Sequence, residues 1–233
     1  MAQSKKFWVE KLGEGWVNAL QETLRSPYMD KLTDFLNVQY GKQKIHPSRE
    51  DVFNAFKLCP WEDLKVVILG LDPAWDMNPN GLAFGTKVAN NYPNIALYEI
   101  RKAVEQTSNS LCLDFDFSLQ SWAKQGVLLL NTSLTAPEFK TGEHKKPWNK
   151  FTLSVIQAIN DYRPGTIFII WGDENNELLP MIGPNNEIIK DVHPVTAGKQ
   201  HATWCSISFK ECNDLLISKY GTEHIINWGS EAM

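Results

Sequence analysis

Four apolar runs in this chain each lead to a side chain that can take part in chemistry. The runs span residues 66–69, 127–130, 167–170 and 188–189. Asp72 follows the first run, Asn131 ends the second, and His193 lies four residues after the last. Trp171 and Gly172 follow the third run. Ligands of open α/β sheets bind outside the carboxyl ends of the strands, so we expect Asp72, Asn131 and His193 to converge on one pocket. A carboxylate and an imidazole there can stabilise opposite charges that develop in a reaction.

The elements that must position these residues follow from the same pattern. Continuous apolar runs are typical of strands in the middle of a parallel sheet, and strands that alternate with helices predict helices on both faces of that sheet. We therefore predict an α/β fold with a central four-stranded parallel sheet flanked by helices on both faces. Apolar periodicity predicts helices over residues 7–24, 29–38, 119–124, 150–162 and 208–220, with further helices starting near Ser48 and at Pro93-Asn94.

Composition bounds the class of protein. The 233 residues show no linker, repeat or low-complexity tract, so we expect a single domain over residues 1–233. The nine Trp residues and a hydrophobic fraction of 43% support a large core. No apolar run approaches the roughly 20 residues that span a bilayer, and the first residues carry no signal sequence. We expect a soluble cytoplasmic protein with no membrane partner.

The cysteines give no sign of a metal site. Cys59, Cys112, Cys205 and Cys212 form no CxxC pair, so we expect reduced thiols, no bound metal and no cofactor.

Net charge argues only mildly against a nucleic-acid partner. The chain carries a formal charge of -4, whereas phosphate contacts normally come from basic surfaces. Residues 140–150 nevertheless hold four lysines and one histidine against Glu143, and Lys199 and His201 follow His193. Such a run is more often a solvated loop than a DNA contact, but basic loops on one face of an acidic body would suffice for DNA.

The order of the motifs resembles that of the uracil-DNA glycosylase family over nearly the whole chain. The matching motifs are Leu12-Gly13-Glu14-Gly15-Trp16, residues 65–70 with Asp72-Pro73, residues 81–84, residues 128–131, Trp148 with Phe151-Thr152, Trp171-Gly172, His193-Pro194 and Ile226-Asn227-Trp228. The resemblance implies the fold of that family and a monomeric enzyme that acts on a nucleotide flipped out of DNA.

The resemblance also implies a role for each site residue. Asp72 would activate the attacking water and stabilise the cationic sugar, and His193 would hydrogen-bond the departing base. Phe84 would stack on the flipped base, and Asn131 would read its polar edge. The backbone amides of Leu71 and Asp72 would assist at the base oxygen, although Leu71 stands where the family usually has Gln. We expect DNA contacts from Pro93, Lys145, Lys146, Ala197, Gly198 and Lys199.

Ala74 and Trp75 depart from the family pattern. The family has Tyr followed by His at these positions, and that Tyr packs against C5 of the pyrimidine and rejects a 5-methyl group. Ala74 therefore predicts a roomier pocket, with Trp75 lining or capping it. The enlarged pocket fits either thymine and other 5-substituted uracils, or a bulky modified pyrimidine.

We favour a bulky C5-modified pyrimidine, such as hydroxymethylcytosine or its glucosylated form in modified phage DNA, which would suit an anti-phage defence. The first alternative is ordinary uracil excision in base excision repair. The second is a DNA-binding or replication accessory protein that needs no catalysis.

Ala197 is a second departure. The resemblance puts at this position a Leu that enters the base stack and holds the target out, and a methyl group is a poor wedge. Lys199, Gln200, His201 or Trp204 could substitute for it, or the substrate could be one that unpairs easily.

Overall fold

The predicted strands assemble into one parallel sheet. The computed structural model describes residues 4–87, 94–108, 112, 114–199, 204 and 206–229. Its strands are β1 (Ile45–His46), β2 (Val66–Gly70), β3 (Val127–Asn131), β4 (Ala136–Pro137), β5 (Ile167–Trp171) and β6 (Glu187–Asp191). The main sheet has the order β3-β2-β5-β6 with every neighbouring pair parallel, and β1 pairs with β4 in a separate antiparallel ladder. The predicted four-stranded parallel sheet is confirmed.

Burial differs between β6 and the other three strands. Every residue of β2, β3 and β5 is buried, as continuous apolar runs predict. In β6 only Ile189 is buried and Ile188 is exposed. The expectation of a fourth buried strand is wrong, because β6 is covered on one face, where Ile189 joins a hydrophobic core, while Ile188 on the other face meets solvent.

Ten helices are described around the sheet. They are α1 (Lys5–Leu12), α2 (Glu14–Ala19), α3 (Gln21–Leu24), α4 (Pro27–Lys42), α5 (Asn54–Leu58), α6 (Ile95–Ser108), α7 (Gln120–Lys124), α8 (Lys145–Tyr162), α9 (Pro194–Lys199) and α10 (Ser208–Tyr220). The helix predicted over residues 7–24 is broken into three. Gly13, with φ of 87°, ends the first, and Leu20 lies between the second and third. Positive φ is accessible to glycine at little cost, so the break occurs there.

The predicted start of a helix near Ser48 is wrong. Residues 49–53 form turns, and α5 begins only at Asn54. The Ser48 hydroxyl and the Asn54 amide both donate hydrogen bonds to the carboxylate of Asp51. Short polar side chains that bond locally in this way favour turns over helix, which explains the late start.

Two other helices have bounds that differ from the prediction. Helix α8 begins at Lys145 rather than at residue 150, and α4 extends beyond the predicted residues 29–38 at both ends.

The sheet separates two hydrophobic cores, and β2, β3 and β5 contribute alternate residues to each. Val67, Leu69, Leu128, Leu130, Phe168 and Ile170 face one core, whereas Val66, Ile68, Val127, Leu129, Ile167 and Ile169 face the other. Helices α1, α2, α4 and α8 cover the first core, and α6, α7 and α10 cover the second. This alternation arises because successive side chains of a strand point to opposite faces of the sheet. Among the described residues, no helix combines the length and apolarity needed to cross a bilayer.

Candidate active site

A cavity of about 260 Å³ lies at the carboxyl ends of the sheet strands. It contains every residue that the sequence placed in the catalytic or base-binding group: Leu71, Asp72, Ala74, Trp75, Phe84, Asn131 and His193. These residues come from the ends of β2, β3 and β6 and from the loop around Phe84. The expected convergence of Asp72, Asn131 and His193 on one pocket agrees with this arrangement.

Asp72 lies two residues beyond the end of β2, at the wall of the cavity. The backbone N–H of Gly142 donates a hydrogen bond to its carboxylate Oδ2. Burial raises the pKa of Asp72 above the ordinary 3.8, and the Gly142 hydrogen bond offsets part of that rise. A carboxylate whose pKa is raised is a stronger base than an exposed one, which suits it to orient and activate water.

His193 follows β6 and immediately precedes α9. The backbone N–H of Val195 donates to its Nδ1 at 3.2 Å, so in the neutral ring the proton lies on Nε2. Burial lowers the pKa of His193 below 6.5, and the nearby Glu174 carboxylate partly counteracts this effect. The ring is therefore a neutral donor held in one tautomer by the first turn of α9.

Phe84 provides the aromatic surface of the cavity. Its φ is 66°, an uncommon conformation for a residue other than glycine, and its ring centroid lies 5.3 Å from that of Trp171 and 5.8 Å from that of His193. The preceding residue, Ala83, donates its N–H to the carbonyl of Leu129 in β3. The strained residue is thus fixed against the sheet, with its half-buried ring beside the imidazole.

Asn131 ends β3 and is only 4% exposed. Its side-chain amide makes no hydrogen bond to any part of the chain that the structure describes. The close approach depends on Gly70 in the neighbouring strand, because a Cβ there would collide with the Asn131 amide oxygen and the Ala83 methyl group. A buried amide without a protein partner on a cavity wall is suited to bind the polar edge of a ligand.

Ala74 and Trp75 form the part of the wall that departs from the family pattern. Both side chains are half-buried and line the cavity. The Trp75 ring packs against Phe139, with ring centroids 4.4 Å apart and planes inclined by 54°.

The segment of residues 138–144 was missed by sequence reasoning. Gly142 holds Asp72, Thr141 lines the cavity, and Phe139 contacts Trp75. These contacts connect positions about 70 residues apart in the chain. The one signal available was the lysine-rich composition of residues 140–150, which points to DNA rather than to Asp72.

A chain of buried hydrogen bonds anchors the end of this segment. Trp148 Nε1 donates to Thr135 Oγ1 at 2.7 Å, and the same hydroxyl lies 2.8 Å from His144 Nδ1. A hydroxyl has one proton and two lone pairs, so Oγ1 bonds to the indole N–H and to the imidazole Nδ1 at the same time. Burial lowers the pKa of His144, so the ring is held neutral beside Phe35.

None of the described residues expected at DNA lines the cavity, although Lys145 and Lys146 line a neighbouring groove that includes Gly142. Lys146 and Lys199 are exposed, and Lys145 is paired with Glu177 at 2.9 Å. Gly198 packs so closely on α6 that a Cβ would collide with Ile95. Ala197 is 3% exposed, so its methyl group is covered by protein rather than presented to a strand. Pro93 lies outside the described residues.

Lys199, one of the two wedge candidates that the structure describes, has an exposed side chain. Trp204 is buried, with its ring packed edge-on against Trp171, so the idea that it enters DNA is wrong. Gln200 and His201 lie outside the described residues.

The groups that line this cavity can stabilise both a positive and a negative charge. Asp72 offers negative charge and a base, and His193 Nε2 offers a neutral donor. Phe84 offers a flat ring, and Asn131 offers a free amide. Such a cavity fits a planar heterocycle. It also suits a reaction in which the bond between the heterocycle and a carbon atom breaks, because positive charge then develops on the carbon and negative charge on the ring.

Comparisons with known proteins agree with this geometry. Residues 56–216 match the family model of the uracil DNA glycosylase superfamily. A uracil-DNA glycosylase of Clostridium perfringens (strain 13) is 38% identical over 209 residues, covering 87% of this chain and 91% of that protein. One from Fusobacterium nucleatum is 33% identical over 226 residues, covering 96% and 98%.

Solved structures show the same fold. The mimivirus uracil-DNA glycosylase superposes with a TM-score of 0.78 at 21% identity, covering 92% of this chain and 86% of that one. A second structure, from Nitratifractor salsuginis, gives a TM-score of 0.62 at 19% identity, covering 90% and 94%.

Proposed function

The chain belongs to the uracil-DNA glycosylase superfamily and is a DNA glycosylase, and we propose from this premise that uracil is the base it releases. The observation that carries the proposal is that a half-buried carboxylate and a neutral Nε2–H donor line one cavity. The curated relatives at 33–38% identity are named uracil-DNA glycosylases, and this favours uracil over the bulkier base expected from Ala74.

In the proposed reaction the target nucleotide is flipped into the cavity, because C1′ of a stacked nucleotide is out of reach. The bond between C1′ and the pyrimidine nitrogen breaks, and its electron pair leaves with the base. Asp72 stabilises the positive charge on the sugar and orients a water molecule, whose oxygen bonds to C1′ and whose proton passes to the carboxylate. His193 Nε2–H stabilises the negative charge on the base oxygen.

Phe84 and Asn131 supply the recognition. The half-buried Phe84 ring stacks on the flipped base, and the Asn131 amide bonds to its polar edge. An amide can present either its N–H or its oxygen, so Asn131 alone does not separate uracil from cytosine.

A second candidate function is release of a C5-substituted pyrimidine, and Ala74 is the observation that favours it. A methyl group stands where the family pattern has Tyr, and the neighbouring Trp75 ring is packed on Phe139. Thymine, hydroxymethylcytosine and glucosylated hydroxymethylcytosine are the substrates that this candidate predicts. A role in defence against phages with modified DNA depends on this second candidate alone.

One panel of oligonucleotides separates the two candidates. Purified protein is incubated with strands carrying uracil, thymine, hydroxymethylcytosine or glucosylated hydroxymethylcytosine, and the released bases are identified. Uracil as the main product supports the proposal. Release of a modified base in preference to uracil overturns it in favour of the second candidate.

Ala74→Tyr is the matched variant for this panel. If uracil is the substrate, the added ring leaves uracil release intact or improves it. If a larger pyrimidine is the substrate, the ring blocks its release, since steric rejection is strong where a pocket wall is rigid.

We expect the protein to act as a monomer in the cytoplasm, which sedimentation and fractionation would test.

A further inference from the structure

Two of the side chains at the position expected to hold the flipped nucleotide out of the helix are covered by protein. Ala197 is 3% and Trp204 is 5% exposed, and both belong to one hydrophobic core. Flipping leaves the neighbouring bases without a stacking partner, so an enzyme of this kind needs an apolar or aromatic surface to cover them. Neither Ala197 nor Trp204 supplies such a surface.

Phe139 is the most exposed large apolar side chain in the described residues, at 70%. Its φ is 64°, a conformation that is costly for a residue with a Cβ and that persists only when the surroundings impose it. An exposed aromatic ring in a strained conformation contributes little to the core, so neither its exposure nor its strain is explained by packing.

Three contacts fix Phe139 at the mouth of the active site. Its ring lies against Trp75, which itself lines the cavity. Thr141, two residues later, also lines the cavity, and Gly142 donates its N–H to Asp72. The buried contact between His144 and Thr135 anchors the end of the same segment. The ring therefore has a fixed position beside the catalytic carboxylate while its outer surface faces solvent.

We infer that Phe139, supported from behind by Trp75, stacks on an unpaired nucleobase next to the flipped nucleotide. The inference rests on the proposed function and names a side chain that supplies the stacking surface that Ala197 and Trp204 do not. Every base has a π face, so stacking on Phe139 is tolerant of sequence and works best where the neighbouring base is already free, as in single-stranded DNA. A single base–aromatic contact changes binding about 5- to 150-fold.

The test uses a single-stranded oligonucleotide with 2-aminopurine beside the target, because the fluorescence of this base reports on its stacking. The protein carries Asp72→Asn so that the base stays in place. We expect Phe139→Ala to bind about 5- to 150-fold more weakly and to lose the fluorescence change. Phe139→Tyr should retain both. Tyr162→Ala removes an aromatic side chain of similar exposure, 66%, at the end of α8 and should bind like the parent.

Two further arms make the result decisive. Phe139→Leu keeps apolar bulk without a π face, so it should bind more weakly than Phe139→Tyr even if Phe139→Ala folds poorly. Abasic spacers on both sides of the target should erase the difference between Phe139 and Phe139→Leu. If the difference persists with spacers, the ring contacts the flipped base or its C5 substituent, and the inference is overturned.

Failure of the inference is separable from failure of the proposed function. Uracil release by the wild-type protein is measured on the same strand without 2-aminopurine. Release of uracil with unchanged binding and fluorescence in Phe139→Ala rejects the stacking role alone. Absence of uracil release rejects the proposed function, while the fluorescence still reports on stacking because it needs no chemistry.

Discussion

At the scale of single residues, the partly buried position of Asp72 suits its proposed role but lowers the stability of the fold. Burial raises the pKa of Asp72, so the folded protein holds a proton there more tightly than the unfolded chain does. The carboxylate therefore destabilises the fold as pH rises through that raised pKa. A residue kept at such a cost is expected where it takes part in the reaction.

We predict that Asp72→Asn raises the melting temperature at pH 7, because the amide has no charge to desolvate. Each 1 kcal/mol gained corresponds to about 2–4 °C for a chain of this size. The gain should shrink as pH falls through the raised pKa of Asp72, where the wild-type carboxyl becomes neutral too. Calorimetry at several pH values measures this trend, and a lower melting temperature for the variant at pH 7 would contradict it.

The state of His193 gives a prediction on pH dependence. In the proposed reaction the neutral ring is the active form, so we expect base release to be lost as pH falls through the His193 pKa, which burial has already lowered. Glu174→Gln removes the carboxylate that raises this pKa, and the acid limb of the rate profile should move to lower pH. Because Glu174 is exposed, we expect the shift to be small and larger at low salt. An NMR titration of His193 checks it, with Glu223→Gln as a distant control.

The strand pattern predicted which residues meet at one cavity, but not which residues contact them across loops. Asp72, Asn131 and His193 were found because parallel strands bring their carboxyl ends together. Gly142 acts through its backbone N–H, which no side-chain pattern reveals. Phe139 contacts Trp75 across a separation that leaves no periodic signal.

At the scale of elements, the segment of residues 138–144 depends on buried hydrogen bonds. Thr135 links Trp148 in α8 to His144 at the start of that helix. This linkage explains why α8 begins at Lys145 rather than at residue 150. The apolar spacing marks residues 150–162 clearly, whereas the first turn of α8 is fixed by its contact with the β3–β4 region.

We predict that Thr135→Val destabilises the fold, since it leaves the Trp148 N–H and His144 Nδ1 buried without partners. Each unsatisfied group costs about 1–3 kcal/mol. Urea unfolding measures the loss. Thr33→Val is the matched control, because Thr33 bonds only to the Met29 carbonyl within α4 and should lose far less. Equal losses in the two variants would show that the buried link does not anchor the segment.

At the scale of the whole molecule, the strand and helix alternation was enough to predict the class of fold. Strands β2, β3 and β5 have an unambiguous apolar pattern and are fully buried, and together with β6 they form the predicted parallel sheet, in the order β3-β2-β5-β6. The sequence did not reveal that β6 is covered on one face only, because the pair Ile188-Ile189 has the same composition in either case.

Overall charge is a weak guide to the partner, and local charge is a stronger one. The acidic molecule presents lysines in the groove that includes Gly142, among them the exposed Lys146, for which no ion pair is found among the described residues. If Lys146 contacts a phosphate, Lys146→Ala should reduce the slope of log K against log salt by about 0.7 for single-stranded DNA. Fluorescence anisotropy over a salt series measures the slope. Lys210→Ala, on α10, should leave it unchanged, and an equal effect of the two variants would argue against a local contact.

The proposed reaction depends on a carboxylate and a neutral imidazole that act together on one flipped pyrimidine. Its most direct test is the single-turnover rate of uracil release from single-stranded DNA by the wild-type protein and by Asp72→Asn, both folded. We predict that the variant is slower by at least about 100-fold, since it removes charge stabilisation from the transition state. A variant that releases uracil at the wild-type rate would contradict the central claim.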